Sequence, residues 1–266
     1  MNDASPSYRL LPGAPDSPVI LHVPHGSRVI PAAVRDGIVL DDAALERELD
    51  YITDAYTDRI AEGAAERSAT RPWRFVNRLS RLVVDPERFP DEREEMLAVG
   101  MGAVYTRTTH REVLRGADYD GRPLVYRYFH PYAAAMTDAV TDRLAAVGRA
   151  VVVDVHSYPS EPLPYELHGD GPRPPVCLGS DPFHTPADLL ATAQDAFAGF
   201  GGTGVNSPFG GAYVPLRYYG RDARVTALMI EIRRDVYMAE PGGVAGPGVG
   251  ALADALARLV DVLTTV

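Results

Sequence analysis

The chain has 266 residues, a formal net charge of −10 and a sequence pI of about 5.1. Hydrophobic residues make up 46% of it and charged residues 23%, a mix typical of globular proteins that excludes wholesale disorder. The acidic balance argues against a nucleic-acid partner, because proteins that grip phosphate backbones are usually basic. The single cysteine, Cys177, excludes an internal disulfide framework and favours a reducing, cytoplasmic location.

Two further classes are excluded by what the sequence lacks. All 26 basic residues are arginine, which rules out a Schiff-base lysine and the lysine of a phosphate-binding glycine-rich loop. No stretch approaches the roughly 20 apolar residues of a membrane helix, so we expect no membrane partner. Residues 1–16 are polar and proline-rich without the pattern of a secretory signal. We expect a single domain over residues 1–266, in which residues 1–16 form a flexible segment.

Short apolar runs alternate with helical patterns along the chain. In chain order they predict a strand over 19–23, a helix over 41–66 capped by Asp41 or Asp42, a strand over 82–84, a helix over 131–147, a strand over 150–155, a strand over 176–178, a helix over 186–198, a strand over 226–232 and a helix over 250–263. This alternation predicts an α/β protein, a three-layer sandwich with a mixed, mostly parallel sheet.

In such sheets, ligands bind outside the carboxyl ends of the strands. His25 and His156 each follow a predicted strand directly, and imidazole is the commonest zinc ligand. Two histidines, one carboxylate and a water make a typical catalytic zinc site. The carboxylate can be Asp50 or Asp54, one turn apart on the same face of the predicted helix. The alternative is that both histidines are ordinary loop residues.

Two buried acids are also predicted at this edge. Asp154 lies two residues before His156, so both side chains point to the same face of a strand, and Asp154 can orient the histidine from behind. Glu231 lies in an apolar strand, where burial would raise its pKa towards that of a general base. The alternatives are a structural acid at Asp154 and an ion pair of Glu231 with Arg233 or Arg81.

An arginine cluster and a glycine-rich segment complete the candidates. Arg78, Arg81 and Arg88 surround the predicted strand at 82–84, and arginine binds carboxylates in a bidentate manner and stabilises oxyanions. The segment 206–213 is predicted to be a mobile loop that folds over a substrate with Tyr213 reaching in. A solvated arginine face and a plain turn are the alternatives.

Short motifs in one order resemble those of the N-formylglutamate amidohydrolases. They are His-Val-Pro-His-Gly-Ser at 22–27, Asn-x-x-Ser-Arg-x-x-x-Asp-x-x-Arg at 77–88, Asp-x-His-Ser at 154–157, and Asn-x-Pro-Phe-x-Gly-x-Tyr at 206–213 followed by Glu-Ile-Arg at 231–233 and Tyr-Met at 237–238. The resemblance covers 19–238, most of the chain. It implies a fold similar to the zinc carboxypeptidases and aspartoacylase-type deacylases, with one Zn²⁺ per chain, although imidazole and carboxylate ligands accept other divalent metals.

Carried over residue by residue, the resemblance makes His25 and His156 zinc ligands. The family's acidic segment matches 50–54, which favours Asp50 as the third ligand, with Asp54 and Asp154 supporting the ligands from behind. Ile52 stands where the family has a histidine, and this departure leaves the substrate open.

The resemblance also assigns roles in the reaction. Glu231 would be the general base, Arg81 would polarise the scissile carbonyl and Arg88 would hold the α-carboxylate. Glu87 precedes Arg88 where related deacylases often have asparagine, which weakens or reshapes carboxylate binding. Further substrate contacts are expected from Ser157, Asn206 and Tyr213.

The sequence thus predicts a zinc-dependent amidohydrolase of a small acidic N-acyl amino acid. The prototype reaction converts N-formyl-L-glutamate to formate and L-glutamate, in histidine degradation. One alternative is a carboxypeptidase-like peptidase or a deacylase of another N-acyl amino acid. A second is a non-catalytic module that binds an acidic ligand without zinc. The sequence predicts no particular oligomeric state.

Overall fold

Seven strands form one mixed sheet in the computed structural model, which describes residues 6–265. The strands are β1 (Tyr8–Leu11), β2 (Val19–Val23), β3 (Trp73–Asn77), β4 (Ala150–Tyr158), β5 (Val176–Gly179), β6 (Thr203–Val205) and β7 (Val225–Arg233). The α-helices are α1 (Ala32–Arg35), α2 (Asp42–Ile52), α3 (Thr57–Arg67), α4 (Arg122–Leu124), α5 (His130–Val147), α6 (Ala187–Phe197) and α7 (Gly248–Thr265). Short 3₁₀ turns occupy Glu95–Val99, Ala198–Phe200 and Arg234–Val236, and a π-helical turn, Val125–Phe129, precedes α5. Within residues 6–265, none of these helices has the length and apolar character needed to cross a bilayer.

The strand order is β1-β3-β2-β4-β7-β5-β6. The central strands β3, β2, β4 and β7 are parallel to one another, whereas β1 runs antiparallel to β3, and β5 runs antiparallel to β7. The predicted mixed, mostly parallel sheet is therefore confirmed. Because four neighbouring strands end at the same edge, residues that follow them in sequence meet there.

Alternation along the strands divides the core into two layers. Val151, Val153 and Val155 of β4 pack with α3, α6 and α7 on one face of the sheet. Ala150 and Val152 pack with α5 on the other face. This confirms the three-layer sandwich, and the period of two places Asp154 and His156 on the α5 side.

The apolar run at 82–84 is not a strand, and the strand beside β2 is Trp73–Asn77. Leu82, Val83 and Val84 are all buried, but each packs into a different hydrophobic cluster. The segment turns because Val83 N–H donates to the Ser80 carbonyl. A short apolar run indicates that its side chains are buried. Because periodicity alone cannot distinguish a buried strand from a buried turn, the predicted strand at 82–84 was wrong.

The helix predicted over 41–66 is broken in two. Asp41 caps α2 as expected, accepting from Ala44 N at 2.7 Å. The helix ends at Ile52, and a new one begins at Thr57 after Tyr56, whose φ of 66° is left-handed. The break is held from outside the helix, because Asp54 N donates to the His25 carbonyl at 3.1 Å.

The N-terminal segment contributes to the sheet. Tyr8–Leu11 pair with β3 as the antiparallel edge strand, so this part of 1–16 differs from the flexible segment that we expected. Pairing along β3 explains the order, since alternate residue pairs of an antiparallel ladder exchange hydrogen bonds. Residues 1–5 lie outside the described residues.

The pH dependence of stability gives a first test, at the buried Glu48 of α2. Its carboxyl oxygens accept from Thr109 N at 2.8 Å and from Thr109 Oγ1 at 2.7 Å. Burial raises its pKa from 4.5 to about 7. The folded state therefore binds this proton more tightly than the unfolded state, so the free energy of unfolding falls as pH rises from 4.5 to 7.

In Glu48→Gln this titration is absent. Relative to the wild type, we expect the free energy of unfolding of the variant to rise between pH 4.5 and pH 8, by at most about 3 kcal/mol. Urea unfolding across this range measures the difference. Glu66→Gln, an exposed glutamate of α3, is the control and should show no such trend. A difference that is constant with pH at position 48 would contradict the prediction.

Candidate metal and active site

The candidate site lies at the carboxyl edge of the central parallel strands. His25 follows β2 after one proline, and His156 of β4 pairs in register with Glu231 of β7. All three line a cavity of about 660 Å³, within the range of small-molecule sites. The structure therefore brings together the two histidines and the acid that strand ends predicted.

Two imidazoles and a carboxylate meet at the floor of the cavity. His25 Nδ1 lies 3.2 Å from His156 Nδ1, and Asp54 Oδ2 lies 3.2 Å from His156 Nδ1 and 3.6 Å from His25 Nδ1. All three residues are buried, and their ligand atoms lie within 4.8 Å of one another. Two nitrogens and one oxygen in this arrangement match the protein ligands of a catalytic zinc site.

The carboxylate at this cluster is Asp54, not Asp50. Asp50 lies within α2 and is partly exposed, and its Oδ1 accepts from Arg28 Nη1 at 2.7 Å. The two aspartates would share one helix face only if the helix continued, but it ends at Ile52. The structure thus corrects the expected position of Asp50, and ligation by Asp54 becomes the prediction.

The break also allows close packing of the histidine turn. A Cβ added at Gly26 would lie 3.0 Å from Thr57 Oγ1 and 3.7 Å from the Asp54 carbonyl. The absence of a side chain at Gly26 therefore lets the turn after β2 approach the segment that carries Asp54.

The electrostatics of the cluster fit a bound cation. Burial disfavours a charged imidazole at His156, but the nearby carboxylates of Glu87 and Asp54 raise its pKa well above the ordinary value. Burial alone would raise the pKa of Asp54, yet hydrogen bonds with His156 and His25 hold it well below its usual range. Buried negative charge thus surrounds two inward-facing nitrogens, a donor set suited to a divalent ion.

Asp85 supports His25 from the side away from the cluster. Its Oδ1 lies 2.9 Å from His25 Nε2. Its Oδ2 accepts from Arg81 Nη2 at 2.7 Å and from the Tyr105 hydroxyl at 2.5 Å. Burial opposes ionisation of this carboxyl, but Arg81 and His25 hold its pKa well below its usual range. Sequence reasoning gave Asp85 no role, although it lies inside the motif at 77–88.

Arg234 supports Asp54 in the same way. Its Nη2 donates to Asp54 Oδ1 at 3.2 Å, and its Nε donates to Ser157 Oγ at 3.2 Å. Ser157 lines the cavity as predicted, but its hydroxyl is engaged by this arginine. Sequence reasoning missed Arg234, because only its position beside the Glu-Ile-Arg motif distinguished it from other arginines.

Glu231 presents a buried oxygen with no protein partner. Its Oε2 is inaccessible and makes no hydrogen bond within the described residues. Burial raises its pKa to about 7, and the negative charge of Asp54 contributes, while the histidines oppose the shift. The prediction of a pKa raised by burial is met in direction, and its role as a base stays a prediction.

Arg88 is positioned to bind an anion in the cavity. Its nearest acids are at the limit of an ion pair, with Nε 3.6 Å from Asp85 Oδ2 and Nη1 3.6 Å from Glu94 Oε1. Its buried Nε makes no hydrogen bond within residues 6–265. Arg81 also lines the cavity, but Asp85 and Tyr105 already fix its guanidinium.

Asp154 contacts residues other than His156. Its Oδ1 lies 2.6 Å from His22 Nδ1, and His22 Nε2 lies 2.6 Å from the Tyr132 hydroxyl of α5. Its Oδ2 accepts from the backbone N–H of Tyr213 at 2.7 Å. The carboxylate therefore ties the cavity wall to the sheet, which differs from the expected support of His156.

Tyr213 lies in the predicted position at the cavity, whereas Asn206 does not. Tyr213 lines the cavity, and its ring lies 4.8 Å from that of His22. Asn206 does not line the cavity, because its amide donates to Ser180 Oγ and accepts from Ser180 N, both at 2.8 Å. The structure therefore corrects the expected substrate contact of Asn206, which instead anchors the start of the loop.

Comparison with known families gives one match over most of the chain. A family model described as N-formylglutamate amidohydrolase matches residues 17–238. No curated protein sequence matches the chain.

Solved structures share the fold. The crystal structure of N-formylglutamate amidohydrolase from Ralstonia eutropha JMP134 superimposes with a TM-score of 0.77 over 97% of both chains, at 23% identity. The gene product Atu2144 from Agrobacterium tumefaciens gives a TM-score of 0.72 at 19% identity, covering 97% of this chain and 95% of that one. A metallo-carboxypeptidase from Burkholderia cenocepacia gives 0.38 at 15% identity, covering 98% of this chain and 65% of that one. The first two likenesses establish the fold.

The ligand assignment is tested by removing each aspartate in turn. We expect Asp54→Asn to weaken Zn²⁺ binding by more than about 100-fold, because even outer partners of ligands are worth 10- to 100-fold. Asp50→Asn should bind Zn²⁺ as the wild type does, since its carboxylate contacts Arg28. Competition with a chromophoric chelator measures both dissociation constants, and circular dichroism checks the fold. Loss of affinity in Asp50→Asn alone would reverse the assignment.

Proposed function

Because the chain belongs to the N-formylglutamate amidohydrolase family, we propose that it uses a divalent metal ion, most simply Zn²⁺, to hydrolyse the amide of a small acidic N-acyl amino acid. The prototype substrate is N-formyl-L-glutamate. The observation that carries this proposal is the buried cluster of His25, His156 and Asp54 beside the unpartnered Oε2 of Glu231, in one cavity.

The proposed metal ion and the residues around its ligands contribute to the reaction in different ways. His25, His156 and Asp54 would hold the divalent ion, which would supply Lewis acidity to activate water and polarise a carbonyl. The protein contributes the orientation of these three ligands, through Asp85 behind His25 and Arg234 behind Asp54.

Two carboxylates of the cavity differ in their suitability as a general base. Glu87 Oε2 lies 3.2 Å from His156 Nε2 and 3.7 Å from His25 Nε2, so its carboxylate is already engaged by the imidazoles. Burial raises the pKa of Glu231 to about 7. A general base works best with a pKa near the working pH, which favours Glu231. Glu231 would take the proton of the attacking water and pass it to the leaving amine.

Two arginines have complementary roles. Arg81, fixed by Asp85 and Tyr105, would stabilise the negative charge that develops on the carbonyl oxygen, because a donor that is already oriented needs no reorganisation. Arg88, with its unpartnered Nε, would bind the substrate carboxylate. Tyr213 would close the side of the cavity that Asp154 tethers to the sheet.

A larger substrate is the second candidate. A cavity of about 660 Å³ lies in the range that accommodates drug-sized ligands, so it would also admit a bulkier N-acyl amino acid than the formylated prototype. A substrate panel separates the two. The first assay measures formate release from N-formyl-L-glutamate before chelation, after chelation and after metal is restored. Binding without hydrolysis and without metal would instead support a non-catalytic module.

Removal of the proposed base tests the mechanism. We expect Glu231→Gln to bind Zn²⁺ like the wild type but to lose about 10²- to 10⁴-fold in kcat, the usual contribution of general acid–base catalysis. Glu95→Gln makes the same change at an exposed acid of the same cavity and should keep full activity. Retention of kcat in Glu231→Gln would remove Glu231 from the mechanism.

Removal of the proposed anion-binding arginine tests substrate recognition. We expect Arg88→Gln to raise KM for an acidic substrate by about 10- to 100-fold, because a hydrogen bond to a charged group is worth about 1.5–3 kcal/mol. Steady-state kinetics with the acid and with its neutral amide measure the effect, which should vanish for a substrate without the carboxylate. Arg93→Gln, at an exposed arginine of the cavity already paired with Asp91, is the control. Equal losses for acid and amide would show that Arg88 does not bind the carboxylate.

A further inference from the structure

One short segment places a carboxylate next to each of the two histidines of the cluster. Asp85 and Glu87 flank Pro86 in the turn that follows Arg81. Asp85 Oδ1 lies 2.9 Å from His25 Nε2, and Glu87 Oε2 lies 3.2 Å from His156 Nε2. The two histidines come from different strands, so this segment links two ligands that the sheet brings together.

The two imidazoles are oriented alike. Each directs its Nδ1 towards Asp54 Oδ2, at 3.6 Å for His25 and 3.2 Å for His156, and its Nε2 towards a carboxylate of the segment. The Nε2 atom of His156 is buried and makes no hydrogen bond within residues 6–265, and Glu87 Oε2, at 3.2 Å, is the carboxylate oxygen within ion-pair distance of it. A metal-binding histidine usually donates its other N–H to a carboxylate, carbonyl or water.

We propose that Glu87 is a positioning residue, which holds His156 with the proton on Nε2 and the lone pair of Nδ1 directed into the cluster. This inference rests on the proposed metal-dependent function. It gives His156 the same kind of support that Asp85 gives His25.

The segment is built to hold the two carboxylates at a fixed separation. Glu87 N donates to Asp85 Oδ1 at 3.2 Å, the same oxygen that contacts His25. Pro86 fixes its own φ between them, which limits the freedom of the turn. Asp85 is in turn anchored by Arg81 and Tyr105. Displacement of Glu87 therefore requires movement of a segment that several buried contacts restrain.

Contacts with the imidazoles account for the position of the Glu87 side chain. Besides His156, Oε2 lies 3.7 Å from His25 Nε2, and Oε1 lies 3.5 Å from His22 Nδ1. Its side chain is 16% exposed at the cavity surface. The carboxylate thus lies among three histidines, and a glutamine there would replace the charged acceptor nearest to His156 Nε2 with a weaker, neutral one.

The test uses the full chain and Zn²⁺ alone, so it does not depend on finding a substrate. We expect Glu87→Gln to weaken Zn²⁺ binding by about 10- to 100-fold, the usual effect of losing an outer carboxylate. Glu87→Asp should recover part of the affinity, and Glu95→Gln should match the wild type. Thermal unfolding of the metal-free proteins confirms that each variant folds.

A spectroscopic readout separates positioning from a general structural role. In the zinc-loaded wild type, proton–nitrogen NMR of the imidazoles should show a protonated Nε2 on His156 that exchanges slowly with water. In Glu87→Gln this proton should exchange faster, while the Nε2 proton of His25, held by Asp85, should be unchanged. Equal changes at both histidines would indicate general loosening and overturn the inference.

The outcomes are distinguishable from a failure of the proposed function. If the wild type binds no Zn²⁺, this result contradicts both the proposed function and the inference about Glu87. If the wild type binds Zn²⁺, and Glu87→Gln binds it equally tightly with an unchanged His156 signal, only the inference is overturned. If X-ray absorption shows that Glu87→Gln loses an oxygen ligand of the bound zinc, Glu87 is a ligand itself and positioning is also overturned.

Discussion

The organisation of this protein depends on one buried contact, the 3.2 Å approach of His25 Nδ1 to His156 Nδ1. Two buried imidazole nitrogens at this distance need a proton or a cation between them. The acids that surround them supply the compensating charge. The parallel strands β2 and β4 impose the contact, because His22 of β2 pairs in register with Asp154 of β4 near their common end.

Charge alternates outward from this contact. Asp54 and Asp85 touch the histidines, and Arg234 and Arg81 in turn bind these acids. Asp54 and Asp85 therefore each lie between a histidine and an arginine, which limits the cost of removing these charges from water. Four buried side-chain atoms that make no hydrogen bond within residues 6–265 belong to residues lining the cavity: Glu87 Oε1, Arg88 Nε, His156 Nε2 and Glu231 Oε2. Unpaired polar groups are costly in a folded protein, and their concentration in one cavity marks where a ligand would satisfy them.

Sequence reasoning predicted the features that follow from strand ends. His25, His156 and Glu231 were found because a buried strand reads clearly as an apolar run, and the geometry of parallel sheets places its end. The helical pattern through 41–66 left Asp50 and Asp54 as alternatives on one face, and the family resemblance at 50–54 favoured Asp50, whereas contacts from distant residues break the helix at 53–56. The roles of Asp85 and Arg234 depend on turns whose paths are set by tertiary contacts. Periodicity carries no information about such paths.

The loop that forms one wall of the cavity is held at two points. Asn206 bonds to Ser180 at its start, and Asp154 bonds to the backbone of Tyr213 further along. The metal-binding candidates lie outside this stretch, on β4, on the turn after β2 and on the break between α2 and α3. The length and side chains of the wall between the anchors can therefore change without displacing the proposed metal ligands. Substrate preference can in this way change through substitutions in the short segment between Asn206 and Tyr213, with no change in the strands of the sheet.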